Sequence, residues 1–311
     1  MISKPTVLVL GAGASQKYGF PSGTELKNQV VRTLSGEGSS LFERYSGMGY
    51  NEQEVRRFRD ALKQSGVPSV DAFLEHRQEF LGIGKTAIAE ILIPYENENK
   101  LFGASEDWYG FLLDRLNTPF DRFQENQITI LTFNYDRSLE WYIFKALQAR
   151  YGMNNLDAIN LLKKLRTIHL YGTLGGLPWE NGRAYQPSIE WPKPNVTYGP
   201  EIKFDIILAS NKIKIIHEGI LQDQEFTRAL EALSAAKRIV FLGFGYNKVN
   251  VERLRPKEWR SLQDPVLGSA FGLTELEKTV ARRYIEHRTE FGEKDWDVLR
   301  YLREKVDLEA N

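Results

Sequence analysis

Thr6-Val7-Leu8-Val9-Leu10-Gly11-Ala12-Gly13-Ala14-Ser15 decides how this 311-residue chain folds. A short apolar, β-branched run passes straight into glycines and a small hydroxyl residue. Bounded by glycine in this way, it reads as a buried parallel strand rather than a helix. The strand-to-helix turn lets a backbone come close to a phosphate, with the next helix's N–H groups facing the anion. The same turn also serves plain close packing of two backbones, and both readings stay open here. It is not the dehydrogenase fingerprint, because Gln16 takes the place of the third glycine. Nor does a Gly-Lys-Ser/Thr follow, as a phosphate-loop NTPase needs. Gly19-Phe20-Pro21 suggests a loop folding back over the site.

Working outward, sheet signals return at Ile128–Phe133, Thr167–Leu170 and Arg238–Leu242, and each ends in a turn. The first runs into Asn134-Tyr135-Asp136 and the last into Gly243-Phe244-Gly245. Asp136 reads equally as a cap for the helix that follows, whereas Asn134 at the strand tip is less readily explained as one. His169 and Tyr171 are two apart, which places their side chains on one face of the sheet. Apolar spacing predicts helices at 137–149, 154–164, 224–236 and 275–287, and a mostly helical stretch from 51 to 116. Thr24 is expected to cap a helix running through Leu34, and the Gly/Ser-rich residues 35–50 to form a loop. Residues 177–200 hold five of the twelve prolines (Pro178, Pro187, Pro192, Pro194 and Pro200) and read as a long irregular excursion. Strands alternating with helices predict an α/β fold, a doubly wound Rossmann-like, mostly parallel sheet. The chain is expected to form one domain over 1–311, with a helical insertion at about 50–120 and C-terminal helices at about 274–308.

Composition narrows the function classes. The 41 basic and 41 acidic residues cancel, so no global field draws the chain to nucleic acid or to an anionic membrane. With no cysteine, disulfides, thiolate zinc sites and a cysteine nucleophile are all excluded. The four histidines (His76, His169, His217, His287) lack ligand-like spacing, and no metal is expected. No segment nears the roughly 18 apolar residues that span a bilayer, and the expected compartment is the cytoplasm.

The ordered set Gly11-Ala12-Gly13-Ala14-Ser15, Ser69-Val70-Asp71-Ala72-Phe73-Leu74, Thr132-Phe133-Asn134-Tyr135-Asp136, Leu170-Tyr171-Gly172-Thr173-Leu174 and Phe241-Leu242-Gly243-Phe244-Gly245-Tyr246 resembles the sirtuin-like NAD-hydrolase domains of bacteria. These are relatives of the NAD-dependent deacylases, and the likeness spans roughly residues 6 to 247. It implies NAD as substrate, cleaved at the nicotinamide–ribose bond without a metal, commonly to deplete NAD in anti-phage defence. It also implies that Gly11, Ala12, Gly13 and Ser15 bind the phosphates, with Pro21 in the loop above them and Gly172 beside the catalytic position. Gly243 and Gly245 would line the adenosine side. Asn134 would contact the ribose or the attacking water, and Asp136 the carboxamide or Asn134 itself. A homo-oligomer and a partner such as a defence ATPase follow from the resemblance alone.

The chain departs from the family at one place. The usual base is a histidine immediately before the glycine at Gly172, and here that residue is Tyr171. A phenol with a pKa near 10 is a poor base at neutral pH. His169 is the candidate substitute, about 6.6 Å back along the strand. A non-catalytic NAD or ADP-ribose binding module is therefore the alternative to the hydrolase, and an assembly subunit built on the C-terminal helices is the third reading. The missing cysteines also set the chain apart from deacylases with a four-cysteine zinc ribbon.

Overall fold

The computed structural model describes residues 1–311 except 37–38, 104–106, 117–118, 178, 180–197, 200–205, 216–222 and 310–311. Most of the expected excursion at 177–200 lies outside the described residues.

Three five-residue strands form the centre: β1 (Thr6–Leu10), β2 (Ile128–Thr132) and β4 (Arg238–Leu242). Every residue of the three is buried, as strands covered on both faces must be. β3 (Arg166–His169) flanks β2, while β5 (Val266–Gly268) and β6 (Thr289–Phe291) extend the sheet beyond β4. The six strands run parallel in the order β3-β2-β1-β4-β5-β6, a Rossmann-like α/β arrangement. Because the sheet is parallel, the carboxyl ends share one edge. Register aligns them closely, since Leu10 pairs with both Thr132 and Leu242. The turns at Gly11, Phe133 and Gly243 therefore leave the sheet side by side, on either side of the point where strand order reverses.

Between β1 and β2 come α1 (Gly23–Leu34), α2 (Ser39–Gly47), α3 (Glu52–Gln64), α4 (Val70–His76), α5 (Leu81–Leu92), α6 (Glu98–Phe102) and α7 (Trp108–Arg115). Of these, α3 to α7 fall in the stretch of about 50–120 expected to be a helical insertion. Its α3 shows why it folds: Asn51 and Glu54 form a capping box, and Val55, Phe58 and Leu62 bury one face. Each such side chain contributes about 1.5–3 kcal/mol on full burial. α8 (Ser138–Tyr151) and α9 (Asn155–Leu162) follow β2. α10 (Ile206–Lys212) and α11 (Gln224–Ala235) precede β4, and α12 (Lys248–Arg253), α13 (Glu275–Ile285) and α14 (Val298–Lys305) complete the chain.

Two expectations are corrected. Residues 35–50 are not simply a loop, because α2 buries Leu41 and Tyr45 four residues apart. The cap of α1 is Ser22 rather than Thr24, its hydroxyl accepting from the Glu25 amide while the Glu25 carboxylate accepts from Ser22. In the stretch 274–308 the helices α13 and α14 flank the short strand β6. Among the described residues, no helix is long and apolar enough to cross a membrane.

Candidate functional site

The glycines of the first turn are explained by packing. The Gly13 amide donates to the Gly243 carbonyl at 2.9 Å, and the Gly11 amide to Leu242 at 3.0 Å. A Cβ at Gly11 would lie 2.7 Å from the Gly243 oxygen, and one at Gly13 2.8 Å from the Gly243 Cα. No side chain fits between the two backbones. The amides of Ala14 and Ser15 close onto Gly11 and Ala12. The expected cradle of N–H groups from a following α-helix is thus altered: Ala12–Ala14 and Gln16–Tyr18 are short 3₁₀ turns, and α1 starts only at Gly23.

Beside this turn the tip of β2 converges on it. Both N–H groups of the Asn134 amide are engaged, with the Gly11 carbonyl at 3.0 Å and the Ser15 hydroxyl at 3.1 Å. Ser15 in turn donates to Asp136 at 2.8 Å, and Asp136 also accepts the Ser138 amide, the first of α8, at 3.2 Å. Burial pushes the Asp136 carboxyl above its ordinary value, partly offset by these bonds to Ser15 and Ser138. Asn134, Ser15 and Asp136 thus form one directional chain joining β2 to the β1 turn.

His169 and Tyr171 do not act on one face. Tyr171 lies past the end of β3, and its phenol donates to Asn250 at 2.6 Å and accepts from Arg253 at 2.8 Å, both on α12. Arg253 is also paired with Glu75 at 2.9 Å. Burial raises the Tyr171 phenol well above its usual range despite the neighbouring guanidinium. His169 turns instead to α8, with Nε2 2.7 Å from Glu140 and Nδ1 3.1 Å from the Asn134 carbonyl. Both ring nitrogens face acceptors, which calls for the imidazolium or a proton shared with Glu140. Burial alone would lower this histidine, but Glu140 and the two hydrogen bonds raise it overall.

A cleft of about 660 Å³ opens along the carboxyl edge from the β1 turn across β4 to β5. Ala12, Gly13, Gly243 and Gly245 line it, as does Trp108, whose indole donates to the Ala14 carbonyl at 2.8 Å. Its size is that of a small-molecule site. Pro21 faces a separate polar groove beside α1, sharing only Gln16 with the cleft. Gly172 (φ +71°) lies against the 212–214 backbone, where a Cβ would meet the Lys212 oxygen at 1.9 Å. Sequence reasoning missed the far wall, formed by Ser269, Phe271, Leu273, Asp297, Val298 and Leu299. A signal existed in the Ser269–Leu273 turn, which is followed by the Thr274–Glu277 capping box.

Comparison of the chain with protein-family models and with curated proteins returns no match.

Proposed function

We propose that this chain is an NAD hydrolase that cleaves the nicotinamide–ribose bond to give nicotinamide and ADP-ribose. The observation that carries this reading is the chain of bonds from Asn134 through Ser15 to Asp136, which ties the β2 tip to the β1 turn whose Ala12 and Gly13 line the cleft, although none of the three lines it itself. A ligand at such a crevice lies across the carboxyl ends of the strands. Breaking the C1′–N bond sends its electron pair to the pyridinium, so nicotinamide leaves neutral and needs no acid. Water then adds to C1′ of the oxocarbenium-like centre and releases one proton. The demands on the protein are to hold the pyrophosphate, orient the leaving group and place that water. Asn134 supplies a hydrogen-bonding amide at the right strand tip. Asp136, whose proton affinity burial raises, takes the water's proton in this reading. Tyr171 keeps its proton and takes no part as a base. The biological setting that goes with this reading is anti-phage NAD depletion in the cytoplasm, by a homo-oligomer working with a partner such as an ATPase.

A second reading, a non-catalytic NAD or ADP-ribose binding module, is favoured by one observation: Tyr171 is tied to Asn250 and Arg253 instead of offering a base. Incubating the pure protein with NAD, and cells with and without phage, separates the two by the nicotinamide and ADP-ribose released. The hydrolase reading expects turnover that Asn134→Ala lowers about 100-fold or more, the scale of losing one positioned polar group. Full turnover in that variant refutes the assignment. NAD binding with background release in every assembly state selects the binding module.

A further inference from the structure

We propose that the β5–α14 end of the cleft is an adenosine subsite, where Phe271 stacks on the purine and Asp297 selects a ribose with a free 2′-hydroxyl over one bearing a 2′-phosphate. This rests on the dinucleotide reading above.

The argument begins with sheet order. The Asn134 group sits at the tip of β2, and β1 and β4 separate it from β5. Three strand spacings are about 14 Å. A pyrophosphate with a ribose at each end bridges that span, and a mononucleotide is too short to touch both ends. With the scissile ribose near β2, the second nucleoside falls at β5 and α14.

The chemistry there suits it. Phe271 is 65% exposed although it lines a cleft, so one ring face is open to a partner. Its turn is fastened on both sides: the Gly243 amide donates to the Ser269 hydroxyl at 2.8 Å, and the Gly272 amide donates to the Lys294 carbonyl at 2.7 Å. A fixed, exposed aromatic is a stacking platform for a base. Asp297 caps α14, with Oδ1 accepting from the Arg300 amide at 2.8 Å. Its carboxylate satisfies the helix end that would otherwise attract an anion. Of the other charged groups on this turn, Arg300 reaches Asp295 at 3.4 Å and covers the Trp296 ring at 5.3 Å. Lys17 lies at the opposite end of the cleft, beside the β1 turn. The cleft thus presents a cation where the pyrophosphate passes and a carboxylate where the second ribose ends. Ribose hydroxyls donate to a carboxylate, whereas a 2′-phosphate is repelled by it.

Calorimetric titration with ADP-ribose and with 2′-phospho-ADP-ribose tests this without turnover. Asp297→Asn keeps the cap, because asparagine caps helices as well as aspartate does. Wild type is expected to prefer ADP-ribose at least about tenfold, and Asp297→Asn to reduce that preference to threefold or less. Phe271→Ala is expected to weaken both ligands about tenfold and equally. ADP-ribose binding with no preference, or with a preference that Asp297→Asn leaves unchanged, overturns the subsite and leaves the dinucleotide reading standing. If neither ligand binds the wild type, both readings fall.

Discussion

Replacing Gly243 by alanine tests the packing of the two central turns more sharply than any other single change. Gly243 has φ +58°, and a Cβ built there would lie 2.0 Å from the Ala14 nitrogen and 2.2 Å from the Gly13 carbonyl carbon. Both obstacles are backbone, so neither can swing aside as a side chain would. Holding alanine in the left-handed region costs about 1–2 kcal/mol. Forcing a methyl group into a packed contact adds about 1–3 kcal/mol. The two together give about 2–5 kcal/mol of destabilisation. With an unfolding entropy of about 2.1 cal/mol/K per residue, each kcal/mol shifts the Tm of a chain this long by about 1.5 °C, so a drop of about 3–8 °C is expected. Gly245→Ala is the matched control, since nothing lies within 4 Å of its Cβ position and its φ is not in the left-handed range. Its Tm should move by less than about 1 °C, the effect of a substitution within ±0.5 kcal/mol. Scanning calorimetry on both variants measures the contrast. A wild-type Tm for Gly243→Ala, or an equal fall in both, would refute the claim that the β1 and β4 turns are locked backbone to backbone.

Two further outcomes follow from buried charge. Glu96→Gln leaves the Arg137 guanidinium, 1% exposed and paired with Glu96 through a 2.9 Å bond, without its counter-charge; a loss of about 3–5 kcal/mol is expected by urea unfolding. His169 has its pKa raised in the fold, so its pairing with Glu140 stabilises fully below the unfolded value near 6.5 and is lost as pH rises through the raised folded value. Wild type should therefore lose more stability than His169→Gln between pH 6 and pH 9, and parallel curves for the two would refute the coupling.

How much of this was legible in the sequence depended on strand length and on what a turn connects. β1, β2 and β4 could be read because four or five apolar or β-branched residues run up to a glycine or, past Phe133, an asparagine. β5 and β6 could not, since three residues are too few to show a period. With them went the far wall of the cleft, because Phe271 and Asp297 stand on turns that those short strands place. Asn134 and Asp136 were read correctly as neighbours of the first turn, yet their bonds to Ser15 depend on strand register, which spacing alone does not give. The His169–Tyr171 pair failed for a physical reason: period-two alternation holds only inside a strand, and β3 stops at His169.

The two readings of function differ over a single group. Both N–H groups of Asn134 are spent inward, on the Gly11 carbonyl and on Ser15. His169 holds the same residue from behind through its backbone carbonyl. A hydrolase needs this amide to serve the ribose or the water, and its carbonyl oxygen can do so without breaking either bond. A nicotinamide leaving group asks for orientation more than for a base, so a fixed amide is an asset and the protonated Tyr171 is no obstacle. The binding module needs only the glycine turns and the wall at β5. Asn134 is therefore the residue on which hydrolysis and mere binding part. A variant there that loses turnover but keeps its affinity for ADP-ribose assigns it to the chemistry. Loss of affinity alone makes it a strut of the turn.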